Sequence, residues 1–513
     1  MQPTVNIELP FDPLAHAFAG GLKPHELVAA QNGSYARLTH RDFPQMSIRI
    51  KKHGGSGNVA GKAHAADLDP EAFCDPTVTS WTGYIDLIDG KSLFFYFFES
   101  RSSPEEDPLV FWTNGGPGAS SAFGLFMEHG PCRVSSPERQ EGPPINGTTH
   151  FDYSWNTRAN MIYVEQPAGV GYSYVRFGEG TWDAEQAGRD IYSFFRIFFS
   201  AFEQFRSNDF YLAGESYGGR YIPRFAAEMV DQDAALLAAA KKAGKEPEAG
   251  TIMDLKGILI GNGVAQWSIT YESYYDMACT QLSGNGVPRL SLLECGEMKA
   301  WTKRCKRDVA QYCEDEYSAE NCEAARSVCS DKLEEVWTSR YNPYDVTDDC
   351  KAGIEVLCYA ETDWIAAYLD RDDVRSLVGA APRSQTGTYK IASKEVASRF
   401  FKCQDVLRGS YNYIAGLLDR NIPVLVLSGN ADFVCNTLST IRYLDTIVYP
   451  GAVQLQKNLR EWKVDGKRVG LTAKGGNLTY ATIDGAPHLV PYKVEHAIPA
   501  LALFNRWLAG DKI

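Results

Sequence analysis

Ser216 stands in Gly214-Glu-Ser-Tyr-Gly218, between an apolar run and an amphipathic one. A serine flanked by such small residues suits nucleophilic chemistry, because a sharp strand-to-helix turn leaves its hydroxyl exposed. The pentapeptide also occurs in idle glycine turns, so the chemistry needs a base and an acid as well. In turns of this kind the partners follow the serine in the order acid, then histidine. Of the nine histidines, two lie beyond Ser216: His488 and His496. His496, in Lys493-Val-Glu-His-Ala-Ile at the start of a helical pattern, is expected on the surface. His488 lies in Asp484-Gly-Ala-Pro-His-Leu-Val-Pro, after the strand-like run 479–483, and reacting groups gather at strand ends. His488 is the expected base. The expected acid is Asp432, just past the apolar run 422–428, where it would hold the imidazole tautomer and stabilise the imidazolium. Asp484 is its rival, but its closeness to His488 suits a turn former better. Trp112-Thr-Asn-Gly-Gly-Pro-Gly118 follows another apolar run, and the Gly116 amide with that of Tyr217 would serve a developing oxyanion.

These residues need a frame. Runs at 81–88 and 92–98, joined by Asp89-Gly90, read as a hairpin. Runs at 108–113, 160–164 and 209–214 read as buried parallel strands, and 184–205 carries apolar residues at helical spacing. Further strands are expected at 255–261 and 422–428, with a closing helix at 497–508. Strands alternating with helices imply an α/β fold, a mostly parallel central sheet covered by helices. The alternation stops over 265–370, where cysteines cluster and no strand pattern appears, as in a cap inserted over an active site. The expected organisation is therefore a leader or pro-like arm at 1–70, core at 71–264, a disulfide-rich cap at 265–370 and core again at 371–513. The arm reads as irregular, with His53-Gly-Gly-Ser-Gly as a flexible linker, and 238–250 reads as an exposed loop.

A formal net charge of −13 argues against nucleic acid as a partner, since phosphate binding needs a basic face. No run of apolar residues is long enough to span a membrane. Six of the 12 cysteines (Cys279, Cys295, Cys305, Cys313, Cys322, Cys329) crowd one polar segment, which points to disulfides and an oxidising compartment. Zinc is the competing reading, but that segment holds neither a CxxC pair nor a histidine, and no metal or other cofactor is expected. Sequons at Asn32, Asn146 and Asn477 fit the same compartment. A secreted or vacuolar (lysosomal) protein is expected, its signal peptide absent from this sequence, acting as a monomer or homodimer.

The motifs together resemble the serine carboxypeptidase family, which has the α/β-hydrolase fold. The blocks that carry the resemblance are 112–118, Glu165-Gln-Pro-Ala-Gly-Val-Gly-Tyr-Ser173, 214–223, Asp432-Phe-Val-Cys-Asn436 and His488-Leu-Val-Pro491, in the family's order. The resemblance implies an exopeptidase that releases C-terminal residues from peptides and proteins through an acyl-enzyme, and best in acid. It implies that Trp112, Asn114, Glu128 and Glu215 bind the substrate's terminal carboxylate. Two acids facing an anion attract it only if they share a proton, because like charges a few ångströms apart do not all ionise. Phe123, Met127 and Leu489 would line the pocket for the departing residue. Implied disulfides are Cys279–Cys295, Cys305–Cys329, Cys313–Cys322 and Cys350–Cys358. Cys435 matches a free cysteine beside the acid and reads equally well as a small buried hydrophobe.

One position departs from the family. Relatives usually have a cysteine, tied to a later one, where this chain has Ala119. That puts the rigidity of the oxyanion loop in question and leaves Cys74, Cys132 and Cys403 without assigned partners. Some family members instead transfer acyl groups from esters to alcohols with the same triad, and the intact carboxylate-binding set favours the peptidase. An inactive binding or protective protein would need a broken triad, and nothing in these motifs is broken.

Overall fold

The computed structural model describes residues 22–30, 33–40, 46–54, 72–134, 147–247, 252–282, 286–354 and 357–513. The chain enters through an antiparallel ladder of β1 (Leu22–Ala30), β2 (Gly33–His40), β3 (Ser47–His53), β4 (Ser80–Asp86) and β5 (Lys91–Phe98). It then runs through β6 (Leu109–Thr113), a small hairpin of β7 (Cys132–Val134) and β8 (Thr148–His150), β9 (Asn160–Glu165) and the short β10 (Tyr174–Val175). There follow β11 (Phe210–Glu215), β12 (Leu255–Gly261), β13 (Val424–Gly429), β14 (Arg460–Val464), β15 (Lys467–Gly475) and β16 (Leu478–Ile483). In space the order is β1-β2-β3-β4-β5-β9-β6-β11-β12-β13-β16-β15-β14. The six strands from β9 to β16 in that order are parallel, and antiparallel ladders flank them on both sides.

Strand residues alternate between two apolar layers, as a period of two requires. Phe95 and Phe97 of β5 join one layer, while Phe94, Tyr96 and Phe98 join the other. In β6, Leu109 and Phe111 face the first layer and Val110 and Trp112 the second. Because both faces are covered, these strands read as continuous apolar runs rather than alternating ones. Helix α1 (Ala184–Ala201), whose first turn is capped by Asp183 accepting from Gln186 N, buries Ile191, Phe194, Phe195 and Phe198 in the first layer. It lies beside α2 (Gly218–Lys242), which begins directly after Ser216 and Tyr217. This is the α/β-hydrolase arrangement.

Between β12 and β13 the chain leaves the sheet for a helical insertion. It begins with α3 (Trp267–Cys279), α4 (Leu292–Val309) and α5 (Ala319–Cys329), which have a core of their own. Disulfides Cys279–Cys295, Cys305–Cys329, Cys313–Cys322 and Cys350–Cys358 lie within it, and a fifth, Cys74–Cys132, ties the core's first strands to β7. Cys403 and Cys435 are free.

Four expectations need correction. The described part of the first 70 residues is not irregular: β3 pairs with β4 from Ser47↔Asp86 to His53↔Ser80 and buries Met46 and Ile48. Its polar residues Arg49, Lys51 and Lys52, set between the buried Ser47, Ile48 and His53, mask the strand. Most of the glycine-rich run beyond His53 lies outside the described residues. Residues 238–242 are not a loop but the exposed last turn of α2. The helical insertion does not stop at 370, for helices continue to Asp419 before β13 resumes the sheet. His496 is not on the surface: it is 9% exposed in the C-terminal helix Val494–Leu508, and burial lowers its pKa.

Candidate active site

The parallel strands end level with one another. Gly214 pairs with Thr113, Glu215 with Gly261, and Gly429 with Ile483. The residues just past these ends, Asn114, Ser216, Asn262, Asp432 and His488, are thereby delivered to one edge of the sheet, where α/β folds place their ligands.

Ser216 sits at φ 60°, a conformation costly for any side chain bearing a Cβ. The surroundings compensate: its N–H donates to Gly261 O at 3.1 Å, and its carbonyl accepts from Gly219 N at 2.9 Å and Val264 N at 3.1 Å. Asp432 is fully buried. Its Oδ2 accepts from His488 Nδ1 at 2.7 Å, Asn262 Nδ2 at 2.7 Å and Cys435 N at 3.2 Å. With Nδ1 carrying the proton that Asp432 accepts, Nε2 of His488 is left as the basic nitrogen. Ser216 and His488 line one cavity of about 490 Å³ together with Asn114, Gly115, Gly116 and Tyr217. A Cβ at Gly115 would stand 2.3 Å from Tyr217 N, so only glycine lets this loop approach the serine turn. Among the described residues, neither the Gly116 nor the Tyr217 amide donates to a protein acceptor. Two free N–H groups beside a serine hydroxyl form a site for a tetrahedral oxyanion.

A second cluster adjoins the first. Asn114 Oδ1 accepts from Trp112 Nε1 at 2.8 Å and Gly124 N at 3.0 Å. These bonds fix the amide's orientation, and Nδ2 donates to Glu128 Oε1 at 3.0 Å and Glu215 Oε1 at 2.7 Å. Glu128 ends a π-helical turn, Gly124–Glu128, whose residues are all buried. Burial raises the pKa of both carboxyls, and Glu215 rises further because the charge of Glu128 lies beside it. The pair therefore retains a proton well above the usual carboxyl range.

Of the residues expected at this site, Asn114, Glu215, Phe123 and Leu489 are on the cavity wall. Trp112 and Glu128 stand behind Asn114 and hold it. Met127 is buried in the apolar layer with Phe123 and is not on the wall. Asp484 is half-exposed, accepting from Asn430 Nδ2 at 3.0 Å and pairing with Arg468 at 2.7 Å. Asn477 is half-buried in the turn between β15 and β16, while Asn32 and Asn146 lie outside the described residues.

Two residues escaped the sequence reading. Asn262 is the second donor to Asp432, and its signal was its place directly after β12 in Gly261-Asn-Gly263. Arg133 donates to the carbonyls of Glu128 at 2.7 Å, Pro491 at 2.8 Å and Tyr492 at 2.6 Å, joining the carboxyl cluster to the His488 loop. No local pattern marks it.

Asp432, Cys435 and His488 bring possible ligand atoms within 4.8 Å of one another. They suit a metal poorly. Asp432 Oδ2 is engaged by three donors, one of them His488 Nδ1, so the acid and the imidazole are already bonded to each other.

The serine carboxypeptidase family model matches residues 70–510. Carboxypeptidase Y homolog A of Leptosphaeria maculans is 34% identical over 501 residues, covering 97% of this chain and 82% of that protein. A vacuolar serine-type carboxypeptidase of Saccharomyces cerevisiae is 35% identical over 450 residues, covering 87% and 82%. Among solved structures, the prohormone-processing carboxypeptidase Kex1 of Saccharomyces cerevisiae shares the fold, with a TM-score of 0.65 at 19% identity over 90% of this chain and 91% of that one.

Proposed function

Because the chain belongs to the serine carboxypeptidase family, we propose that Ser216, His488 and Asp432 carry its reaction and that Asn114 and Glu215 receive the substrate's terminal carboxylate. The enzyme is a serine-type carboxypeptidase, releasing C-terminal residues from peptides through an acyl-enzyme. In the proposed sequence, Ser216 Oγ attacks the scissile carbonyl carbon while His488 Nε2 takes the hydroxyl proton. Asp432 stabilises the imidazolium, and the carbonyl oxygen, now negative, is held by the Gly116 and Tyr217 amides. Collapse breaks the C–N bond, and His488 passes its proton to the departing amine. Water, deprotonated by His488, then attacks the ester and frees Ser216.

The observation that carries the assignment is the junction of two clusters at one cavity: a histidine–carboxylate pair at 2.7 Å and a buried pair of carboxyls joined by the Asn114 amide. The second cluster restricts the first to chain ends. A terminal carboxylate would accept from Asn114 and from the protonated Glu215, and Phe123 and Leu489 would flank the departing side chain. Peptide binding is then strongest in acid and weakens as pH rises through the raised titration of the Glu128–Glu215 pair.

The disulfides, with the vacuolar relative, support a vacuolar or secreted location. No helix among the described residues is long and apolar enough to cross a membrane. We assign the segment between β12 and β13 to a cap, and residues before Ala72 to a leader that contributes β1–β3 to the sheet.

Hydrolysis of a blocked dipeptide and of its C-terminal amide, across pH, beside Ser216→Ala tests this reading. Release from the free acid that is strongest in acid and absent in the variant is expected. Equal cleavage of acid and amide at every pH would remove the carboxylate-binding role, and activity surviving Ser216→Ala would remove the nucleophile.

A further inference from the structure

Glu165, the last residue of β9, belongs to neither cluster, yet it is fully buried and surrounded by donors. Its Oε1 accepts from the hydroxyls of Tyr389 at 2.6 Å, Ser120 at 3.1 Å and Tyr96 at 3.1 Å, and Oε2 accepts from the Tyr172 amide. The Tyr389 and Ser120 hydroxyls also meet each other at 2.8 Å, and Ser120 Oγ accepts from Ala122 N at 3.0 Å. A carboxyl removed from water persists only where its acceptor sites are met, so each of these segments is drawn to one point.

Ser120 lies two residues beyond Gly118, the end of the loop that supplies the Gly116 amide. A second strip of chain is zipped along that loop: Ser120 N donates to Ile391 O at 2.8 Å and Ser393 N to Gly118 O at 2.8 Å. Between these bonds Ala119 pairs with Ala392 in an isolated antiparallel bridge, two methyl side chains that cannot lock to one another. Glu165 holds one member of the zip through Ser120 and the other through Tyr389. The loop's own backbone cannot do this alone, since Gly116 and Gly118 stand at φ 103° and 93°, where glycine has several alternatives.

We propose that Glu165 is a positioning residue for the oxyanion loop, its carboxyl clamping Ser120 and Tyr389 so that the Gly116 amide stays aimed at the reacting carbonyl. The inference rests on the oxyanion role proposed above for Gly116. It touches no substrate. Its effect enters through geometry, and displacing a reacting group by about 1 Å costs up to about 100-fold.

The test is Glu165→Ala, with kcat and KM for a blocked dipeptide measured per folded molecule, beside Ser216→Ala. The expected result is a fall in kcat of about 10- to 100-fold with KM within about 3-fold, since loss of a whole oxyanion donor costs about 100- to 1,000-fold. Cysteines placed at both Ala119 and Ala392 in the Glu165→Ala background supply the missing tether, because directly opposed antiparallel residues lie within disulfide reach. Oxidation of that pair should recover most of kcat. Recovery of the thermal midpoint without recovery of kcat would show a merely structural role and overturn the proposal, as would an unchanged kcat in Glu165→Ala. Should Glu165→Ala fail to fold, Tyr389→Phe removes one hydroxyl of the clamp and should lower kcat about 3- to 10-fold at constant KM; no change there overturns it too. Activity retained in Ser216→Ala would fault the underlying site assignment, whereas activity lost there but kept in Glu165→Ala faults this inference alone.

Discussion

The sheet and the insertion above it are stabilised by different means. The sheet has two apolar layers with phenylalanines on both faces of β5 and along α1, and its strands end in register. The insertion is short of such residues. Its small core is built around Tyr271, Tyr274, Trp337 and five half-cystines, and Leu292 and Leu293 of α4 are left exposed at 91% and 76%. Burial fixes the first region and crosslinks fix the second, where each disulfide contributes about 2–4 kcal/mol. The division matches the tasks. Groups that must meet to within tenths of an ångström come from strand ends, while the insertion supplies walls of the cavity such as Trp267, Tyr271 and Tyr344. The proposed reacting groups come from the strand ends, while the insertion lines the cavity and backs the Gly116 loop through Ile391 and Ser393.

The contrast can be broken most severely at Asp432. Asp432→Asn should lower kcat about 10⁴-fold, because the amide holds the wrong imidazole tautomer, while the denaturation midpoint moves little. A loss below about tenfold would mean that the histidine is oriented by the insertion. Asn262→Ala removes one of three donors to the same carboxylate, so kcat is expected to fall about 10- to 100-fold, read in steady-state kinetics on the same peptide. Glu215→Gln keeps a neutral group beside Asn114 but removes the titration. KM for the free-acid peptide should rise by a few-fold in acid and lose most of its increase with pH, a profile that the amide substrate should not show in either enzyme. The smallest effect on chemistry is expected in the disulfide-linked helices α4 and α5 of the insertion. Cys313→Ser with Cys322→Ser should lower its stability by about 2–4 kcal/mol, seen as earlier proteolysis between α4 and α5, with kcat for a small dipeptide changed less than about 3-fold. A large fall in kcat there would erase the distinction between the two regions.

How much was legible in the sequence follows the same line. Strands covered on both faces announce themselves as apolar runs, which is why β5, β6, β9, β11, β12 and β13 and the residues just past their ends could be read directly. β3, β14 and β15 were not foreseen, since strands such as Ser47–His53 and Arg460–Val464 mix charges with apolar residues and resemble loops. Ser216, Asp432 and His488 are singled out by order and context, and Asn114, Glu128 and Glu215 through resemblance; the fold brings these residues into two adjoining clusters. Asn262 and Arg133 act through contacts between distant segments, for which single-chain spacing has no signature. His496 misled because a polar residue in a first helical turn usually faces water, and here the turn packs inward.

The partners of the acid cluster have one more consequence. The cation beside it, Arg133, is committed to three carbonyls and stacks 3.8 Å over Phe151, so the proposed grip on the terminal carboxylate is made of an amide and a shared proton rather than a free positive charge. Counterions have little to screen there. Raising the salt from about 0.05 M to about 0.5 M shrinks the Debye length to roughly 4 Å, yet the preference for a free acid over its amide should hold to within about two-fold. Such a receptor would work as well in a concentrated brine as in a dilute buffer, its strength set by proton activity alone.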